Sequence, residues 1–134
     1  MDQYGRPDWD EYFLDIAASV AKRADCRRRQ VGAVLVRDNR IVSTGYNGTA
    51  PGAPGCLSGA CPRGLLNLDE QPPNVGYANC ISFHAERNAI IWCPPELREG
   101  SVMYVTHEPC PDCQILLAAV GVVNAFYPGG VWYN

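Results

Sequence analysis

Two short motifs constrain this chain more than any other feature: His84-Ala-Glu86 and, further along, Cys110-Pro-Asp-Cys113. Each motif stands where the hydrophobic pattern predicts the start of a helix, and a strand is predicted to lead into the second motif. Two cysteines three positions apart at a helix start can bind one metal ion, since the helix N-terminus favours the thiolate form. If the fold brings the two helix starts together, the histidine becomes a third ligand.

The residue types in these motifs are typical of a catalytic zinc site. One imidazole and two thiolates suit Zn²⁺ and leave its fourth tetrahedral position open for water, whose pKa zinc can lower to about 7. Glu86 lies two residues beyond His84, where it is poorly placed as a ligand but well placed to move protons. The alternative, a core histidine with two buried helix cysteines, accounts for neither the glutamate nor the paired helix starts. His107 is the poorer candidate ligand, because no glutamate follows it at this spacing.

The order of the predicted elements indicates a single α/β domain. The chain has 134 residues, of which 47% are apolar, so it can bury a core and is not disordered. Strands that alternate with helices favour a sheet sandwiched between helical layers. Helical spacing of apolar residues predicts a helix at 8–24, and a β-branched run predicts a strand at 31–36. The residue pattern further predicts a helix start at 84–92, a helix at 111–120 and strands at 41–46, 101–106 and 122–127.

The segment 47–79 is a long loop rich in glycine and proline, and loops of this length in a compact domain are usually functional, disordered or tied down. The chain has seven cysteines, an odd number, and no apolar signal at its N-terminus, which favours a reducing compartment and metal binding over disulfides. A closed zinc site of four thiolates could order the loop. Its candidate ligands are Cys26, Cys56, Cys61 and Cys80. The alternative is a set of unrelated buried thiols, and Cys93 is interpreted as such a core residue.

The charge balance excludes several classes of partner. The formal net charge is −3, so a protein that coats nucleic acid is not expected. The apolar runs are too short for a transmembrane helix, and we expect a cytoplasmic protein without a membrane partner. An acidic protein needs local cations to bind a phosphate group, and the candidates are Arg87 and one of the three arginines at 27–29. At least two of those three are expected to be solvated surface charges.

The two motifs resemble the H-x-E and P-C-x-x-C signature of the zinc-dependent nucleobase deaminases. Three further segments, at 6–13, 26–36 and 43–48, are similar to the deoxycytidylate (dCMP) deaminase branch of that superfamily. The similarity extends over about residues 6–127, which is nearly the whole chain. It implies a three-layer α/β/α cytidine-deaminase-like fold with a central mixed sheet, formed by residues 1–134 as one domain.

The resemblance implies hydrolytic deamination of dCMP to dUMP and ammonia. Zinc on His84, Cys110 and Cys113 would activate the water that attacks C4 of cytosine. Glu86 would take a proton from that water, protonate ring N3 and later deliver a proton to the departing ammonia. The alternative is that this chain deaminates another base or a modified cytosine nucleotide, because substrate choice within the superfamily depends on pocket shape.

Substrate contacts and partners are also implied by the resemblance alone. Family members hold the pyrimidine edge with the backbone that matches Ala85 and the sugar with the asparagine that matches Asn47. Several relatives carry a second zinc, respond to dCTP and dTTP as effectors, and form homo-oligomers. Because this chain ends at Asn134, sooner than many relatives, effector regulation and the usual hexamer are less strongly implied here.

The sequence also has to be weighed against two alternative functions outside nucleotide metabolism. A tRNA adenosine deaminase would need a cationic surface, which the net charge of −3 disfavours. A non-enzymatic zinc module would have no use for Glu86 beside the metal ligands.

Overall fold

A computed structural model describes residues 1–61 and 81–134 of the chain. The helices are α1 (Trp9–Ala21), α2 (Ala85–Trp92) and α3 (Pro111–Ala119), and the strands are β1 (Gly32–Arg37), β2 (Arg40–Tyr46), β3 (Val102–Val105), β4 (Asn124–Tyr127) and β5 (Gly130–Tyr133). The strands form one sheet in the order β2-β1-β3-β4-β5. Strands β3 and β4 pair in parallel and the other neighbours are antiparallel, so the sheet is mixed, as expected. Among the described helices, none combines the length and the apolar character needed to cross a bilayer.

Local sequence signals account for the first elements. The side chain of Asp8 accepts a hydrogen bond of 2.8 Å from the backbone N–H of Glu11 and so caps the start of α1. Asp38 and Asn39 connect β1 and β2 with φ values of 52° and 58°. These two residue types tolerate the left-handed conformation that a tight hairpin turn requires. The predicted helix at 8–24 and hairpin at 31–46 are therefore present, with slightly different bounds.

Alternate residues of β1 separate the two halves of the core. Ala33 and Leu35 pack in one buried cluster with residues of α2 and α3. Val34 and Val36 face the other side, where they pack with Phe13 of α1 in a second cluster. This alternation follows from the two-residue period of a strand. The sheet therefore lies between α1 on one face and α2 with α3 on the other, which confirms the predicted three-layer fold.

Two glycines allow helices to approach the β-hairpin closely. A Cβ atom at Gly32 would overlap the backbone of α1 at Ala17, and one at Gly45 would overlap the backbone of α2 at Ala85 and Ala89. A residue with a side chain at either position would push its helix away from the sheet. Gly45 thus fixes the distance between the sheet and the helix that begins next to His84.

The last strand, β5, is absent from the sequence-based prediction, which ends at residue 127. Gly129 adopts a φ of 89° in the turn after β4, and the chain then returns as β5 alongside it. The Pro-Gly-Gly run at 128–130 followed by Val-Trp-Tyr is the signal that identifies this hairpin. The backbone N–H of Asn134 donates to the carbonyl of Val123 at 3.0 Å, which fastens the end of the strand.

Candidate active site

The predicted metal ligands lie at the starts of two helices on the same side of the sheet. His84 occupies the N-cap position of α2, Cys110 the N-cap position of α3, and Cys113 the first turn of α3. In the described residues neither N-cap side chain bonds to the backbone of its own helix, as capping residues usually do. These side chains are directed towards each other instead.

The three side chains are close enough to share one ion. His84 Nδ1 lies 3.5 Å from Cys110 Sγ and 3.3 Å from Cys113 Sγ. The three candidate ligand atoms all lie within 4.8 Å of one another. Pro111 at the first helical position fixes the backbone after Cys110 and removes one N–H that would otherwise lack a partner. A nitrogen and two sulfurs in this arrangement fit Zn²⁺ in a site with one position left for water.

Electrostatics around the ligands also fit a cation. Burial raises the pKa of the Cys113 thiol, and negative charge on Glu86 or Cys110 would raise it further. Burial and then the positive charge of Arg87 lower the pKa of His84, which keeps its imidazole neutral, as a metal ligand must be. Glu86, Cys110 and Cys113 each become negatively charged on losing a proton, and they lie close together. A bound divalent cation would offset the repulsion between these charges.

Glu86 is placed for proton transfer beside this centre. Its side chain is 5% exposed in the first turn of α2, and burial raises the pKa of its carboxyl group. A hydrogen bond with Cys113 and the charge of Arg87 act in the opposite direction. A carboxyl group with a raised pKa can both accept and return a proton near neutral pH.

The proposed sugar contact, Asn47, is buried at the end of β2. Its Oδ1 accepts a hydrogen bond of 2.8 Å from the N–H of Val31, and its Nδ2 donates to the carbonyl of Arg29 at 2.7 Å. These bonds fix the orientation of the amide and leave one N–H and one oxygen lone pair for another partner. Ala85, the proposed base contact, is the first residue of α2 and is fully buried. Both substrate contacts stay predictions.

Three of the four remaining candidate ligands lie together in a separate place. Cys26, Cys56 and Cys61 form a buried cluster, and each carries a thiol and not a disulfide. The backbone N–H of Arg27 donates to Cys56 Sγ at 3.2 Å, and that of Arg28 donates to Cys26 Sγ at 3.4 Å. The fourth predicted ligand, Cys80, lies outside the described residues. Cys93 is 2% exposed within the core, as predicted.

Asp25 and Thr106 are two polar residues that the sequence analysis did not identify. Asp25 Oδ1 accepts from the N–H of Leu57 at 2.7 Å, and its own N–H donates to the carbonyl of Asn47 at 2.9 Å. It therefore links the cysteine cluster to the proposed sugar contact. Thr106 Oγ1 lies 2.9 Å from Nδ1 of the exposed His107. The available sequence signal for Asp25 was its position directly before the candidate ligand Cys26. The local sequence gives no such signal for Thr106.

Comparison with known proteins defines the class. The family model described as the cytidine and deoxycytidylate deaminase zinc-binding region matches residues 7–128. The chain therefore belongs to the cytidine and deoxycytidylate deaminase family, whose domain binds zinc.

Individual relatives are more specific. The chain is 48% identical over 128 residues to the deoxycytidylate deaminase of Mycobacterium phage D29, with 92% of this chain and 96% of that protein covered. It is 38% identical over 125 residues to the deoxycytidylate deaminase of Schizosaccharomyces pombe, where 91% of this chain aligns with only 37% of the longer protein. A solved structure of the cyanophage S-TIM5 dCMP deaminase in complex with dCMP and dUMP superposes with a TM-score of 0.69 at 28% identity, covering 91% of this chain and 82% of that one.

Proposed function

We propose that this protein hydrolyses dCMP to dUMP and ammonia. The observation that carries the proposal is the buried Glu86 beside the His84, Cys110 and Cys113 group, in a chain 48% identical to a phage deoxycytidylate deaminase over nearly its full length. A structural zinc site does not require a buried carboxyl group next to its ligands. Residues 1–134 would form the single domain that carries out this reaction.

His84 through Nδ1, with the thiolates of Cys110 and Cys113, would hold the catalytic zinc. The bound ion would lower the pKa of water to about 7 and so supply a nucleophile at neutral pH. Pro111 fixes the backbone after Cys110, which would reduce the conformational entropy that this ligand loses when the metal binds.

Glu86 would carry the protons. The reaction forms a C4–O bond and breaks the C4–N bond of cytosine, so one proton must reach N3 and another must reach the leaving amine. The carboxylate takes the first from the attacking water, gives it to N3, and then moves the second from the new hydroxyl group to the amine. One residue can do both because its pKa is raised by burial towards the working pH.

The remaining contacts place the substrate. Backbone groups around Ala85 would bind the pyrimidine edge, and the free N–H and lone pair of Asn47 would bind the sugar. Regulation by dCTP and dTTP, assembly into a homo-oligomer and a cytoplasmic location stay predictions of the family resemblance.

The substrate is tested by measuring ammonia release from dCMP, CMP, deoxycytidine, dCTP, 5-substituted dCMP, GMP and tRNA. We expect kcat/KM for dCMP to exceed that for deoxycytidine by about two to four orders of magnitude, since two charge-assisted hydrogen bonds to phosphate would be lost with the nucleoside. Equal values would indicate a nucleoside deaminase. Activity on tRNA or a purine alone would assign the chain to another branch, and a higher rate with 5-substituted dCMP would indicate a modified cytosine nucleotide.

We also propose a second, structural zinc on Cys26, Cys56, Cys61 and Cys80. The close packing of the first three supports it, as do the two backbone N–H groups that donate to sulfur, since such bonds stabilise thiolates. Without an ion, burial and then the neighbouring thiols raise the pKa of Cys56, so the metal would also drive its deprotonation.

Replacement of Cys56 tests this second site. We expect wild type to contain two zinc ions per chain and Cys56→Ser to contain one, with a lower melting temperature, because structural zinc contributes on the order of 10 kcal/mol to folding. The measurement is zinc per chain by mass spectrometry of the metal, together with thermal unfolding. Cys93→Ser, at a buried cysteine outside both groups, is the matched control and should keep both ions. A fully metallated wild type with a single zinc would exclude the site.

A further inference from the structure

Asp25 lies in the connection between α1 and β1, where two other parts of the chain meet it. Its half-buried side chain accepts a hydrogen bond of 2.7 Å from the N–H of Leu57, next to one of the clustered cysteines. Its backbone N–H donates to the carbonyl of Asn47 at 2.9 Å, directly after the end of β2. A single residue therefore joins the turn that carries the cysteine to the proposed sugar contact.

The turn that receives the Asp25 carboxylate is shaped to admit it. A Cβ atom at Gly55 would overlap the carboxylate of Asp25. Gly55 has a φ of −109°, a value that any residue can adopt, so its own backbone conformation does not require glycine. The lack of a side chain at this position is needed for the close approach of the carboxylate. Gly55 and Leu57 together therefore hold the Asp25 side chain.

Asn47 is enclosed by the segment that Asp25 begins. The amide of Asn47 bonds to the carbonyl of Arg29 and to the N–H of Val31, and its backbone carbonyl accepts from Asp25. All three partners belong to the segment 25–31, so the position of Asn47 depends on how that segment is held. At its first residue the segment is held by the contact between the Asp25 side chain and the cysteine-bearing turn.

The candidate reacting groups are held by other contacts. His84 and Glu86 belong to the start of α2, whose backbone lies directly against Gly45 of β2, and the two ligand cysteines belong to the start of α3. Release of the Asp25 side chain is therefore expected to displace the sugar contact and to leave the geometry of the reacting groups in place.

We propose that Asp25 is a positioning residue for substrate binding: held by Gly55 and Leu57, it keeps Asn47 where the sugar binds. This inference rests on the proposed function, in which Asn47 contacts the sugar. Asp25 acts through Asn47 and not by touching the substrate. The cysteine-bearing turn thereby affects the affinity for the nucleotide and not the chemical step.

The test separates binding from turnover in variants of the zinc-loaded protein. We expect Asp25→Ala to raise both KM for dCMP and the calorimetric Kd for the product dUMP at least about fivefold, because a displaced Asn47 loses one or two neutral hydrogen bonds to the sugar. The value of kcat should stay within about twofold. Asp25→Asn keeps an oxygen that can accept from Leu57 and should restore KM and Kd to near the wild-type values. Asp15→Ala makes the same change at an exposed position of α1 and is the matched control.

Gly55→Ala tests the same contact from the other side. The added methyl group would displace the Asp25 carboxylate, so we expect a similar rise in KM and Kd with kcat retained. In the Asp25→Ala background the same change should add little, because the methyl group then occupies space that the carboxylate has left. Fully additive effects would show that Gly55 acts separately, which would overturn the proposed contact.

Failure of the proposed function can be told apart from failure of this inference. If wild type neither deaminates dCMP nor binds dUMP, the proposed function is wrong and the role of Asp25 with it. If wild type does both but Asp25→Ala leaves KM and Kd unchanged, or lowers kcat alone, only the role of Asp25 is wrong. Zinc per chain should equal that of wild type, and a loss of zinc from Asp25→Ala would also overturn the proposal, because Asp25 would then support a metal site. Should Asp25→Ala fail to fold, Gly55→Ala decides by the same criteria.

Discussion

Glu86→Gln is expected to lower kcat for dCMP by at least about 10⁴-fold while zinc stays bound. Loss of a single general acid–base group typically costs 10²–10⁴-fold, and Glu86 would serve several proton transfers in one turnover. A loss of 10⁴ corresponds to about 5 kcal/mol of barrier. The amide keeps the size of the side chain at a position that is 5% exposed, so the core around it should not be disturbed.

The measurement combines steady-state kinetics with zinc content and a melting curve. Glu86→Asp is the second variant to compare, because it keeps the carboxyl group but moves it back by one methylene. Partial activity in Glu86→Asp, with no activity in Glu86→Gln, would identify the Glu86 carboxyl group as the proton carrier. If Glu86→Gln retained a tenth of wild-type turnover, another group would have to move the protons.

His84→Ala is expected to remove the catalytic zinc and all measurable deaminase activity. Two thiolates alone leave the ion with too few protein ligands for a stable tetrahedral site. The fold should persist, because the His84 side chain lies at a helix start without capping it, so α2 loses no hydrogen bond of its own. Zinc per chain should fall by one, and circular dichroism should be unchanged.

The other histidine of the chain is the matched control for metal content. His107→Ala also removes an imidazole but lies outside the ligand group, so it should keep the full zinc complement. A His84→Ala protein with full zinc content and activity would show that the ion is held elsewhere. Dialysis of wild type against a chelator should reproduce the loss of activity, and added Zn²⁺ should restore it.

The order of elements up to β4 could be predicted because local residue patterns mark them: helical spacing, β-branched runs, helix starts and turns. The β1 run alternates between two cores, and Asp8 and the Asp38-Asn39 pair mark a helix start and a turn by residue type alone. Strand β5 is an edge strand that follows a Pro-Gly-Gly turn, and its run of Val-Trp-Tyr is too short to predict a strand without the neighbouring strand. It is a strand because β4 offers an edge to pair with, which is a tertiary property.

Part of the candidate site could also be predicted from the sequence. The proximity of His84, Cys110 and Cys113 could be predicted, because the spacing of residues at a helix start determines where their side chains lie. The position of Asn47 against the backbone of Arg29 could not, since that contact joins two loops whose paths depend on the whole sheet. The roles of Ala85 and Asn47 depend on contacts with a bound substrate, which the spacing of residues along the chain does not specify.

The glycines of the hairpin have a mechanical consequence. Gly32 and Gly45 are near neighbours on paired strands, and each has the backbone of a different helix directly against it. At Gly32 and Gly45 the backbones of α1 and α2 thus lie directly against the hairpin, and neither strand residue has a side chain that could absorb a shift. A displacement of α1 is transmitted through the hairpin to the start of α2, where His84 lies. Distant substitutions on α1 are therefore expected to alter metal affinity, whereas changes in the surface turns are not.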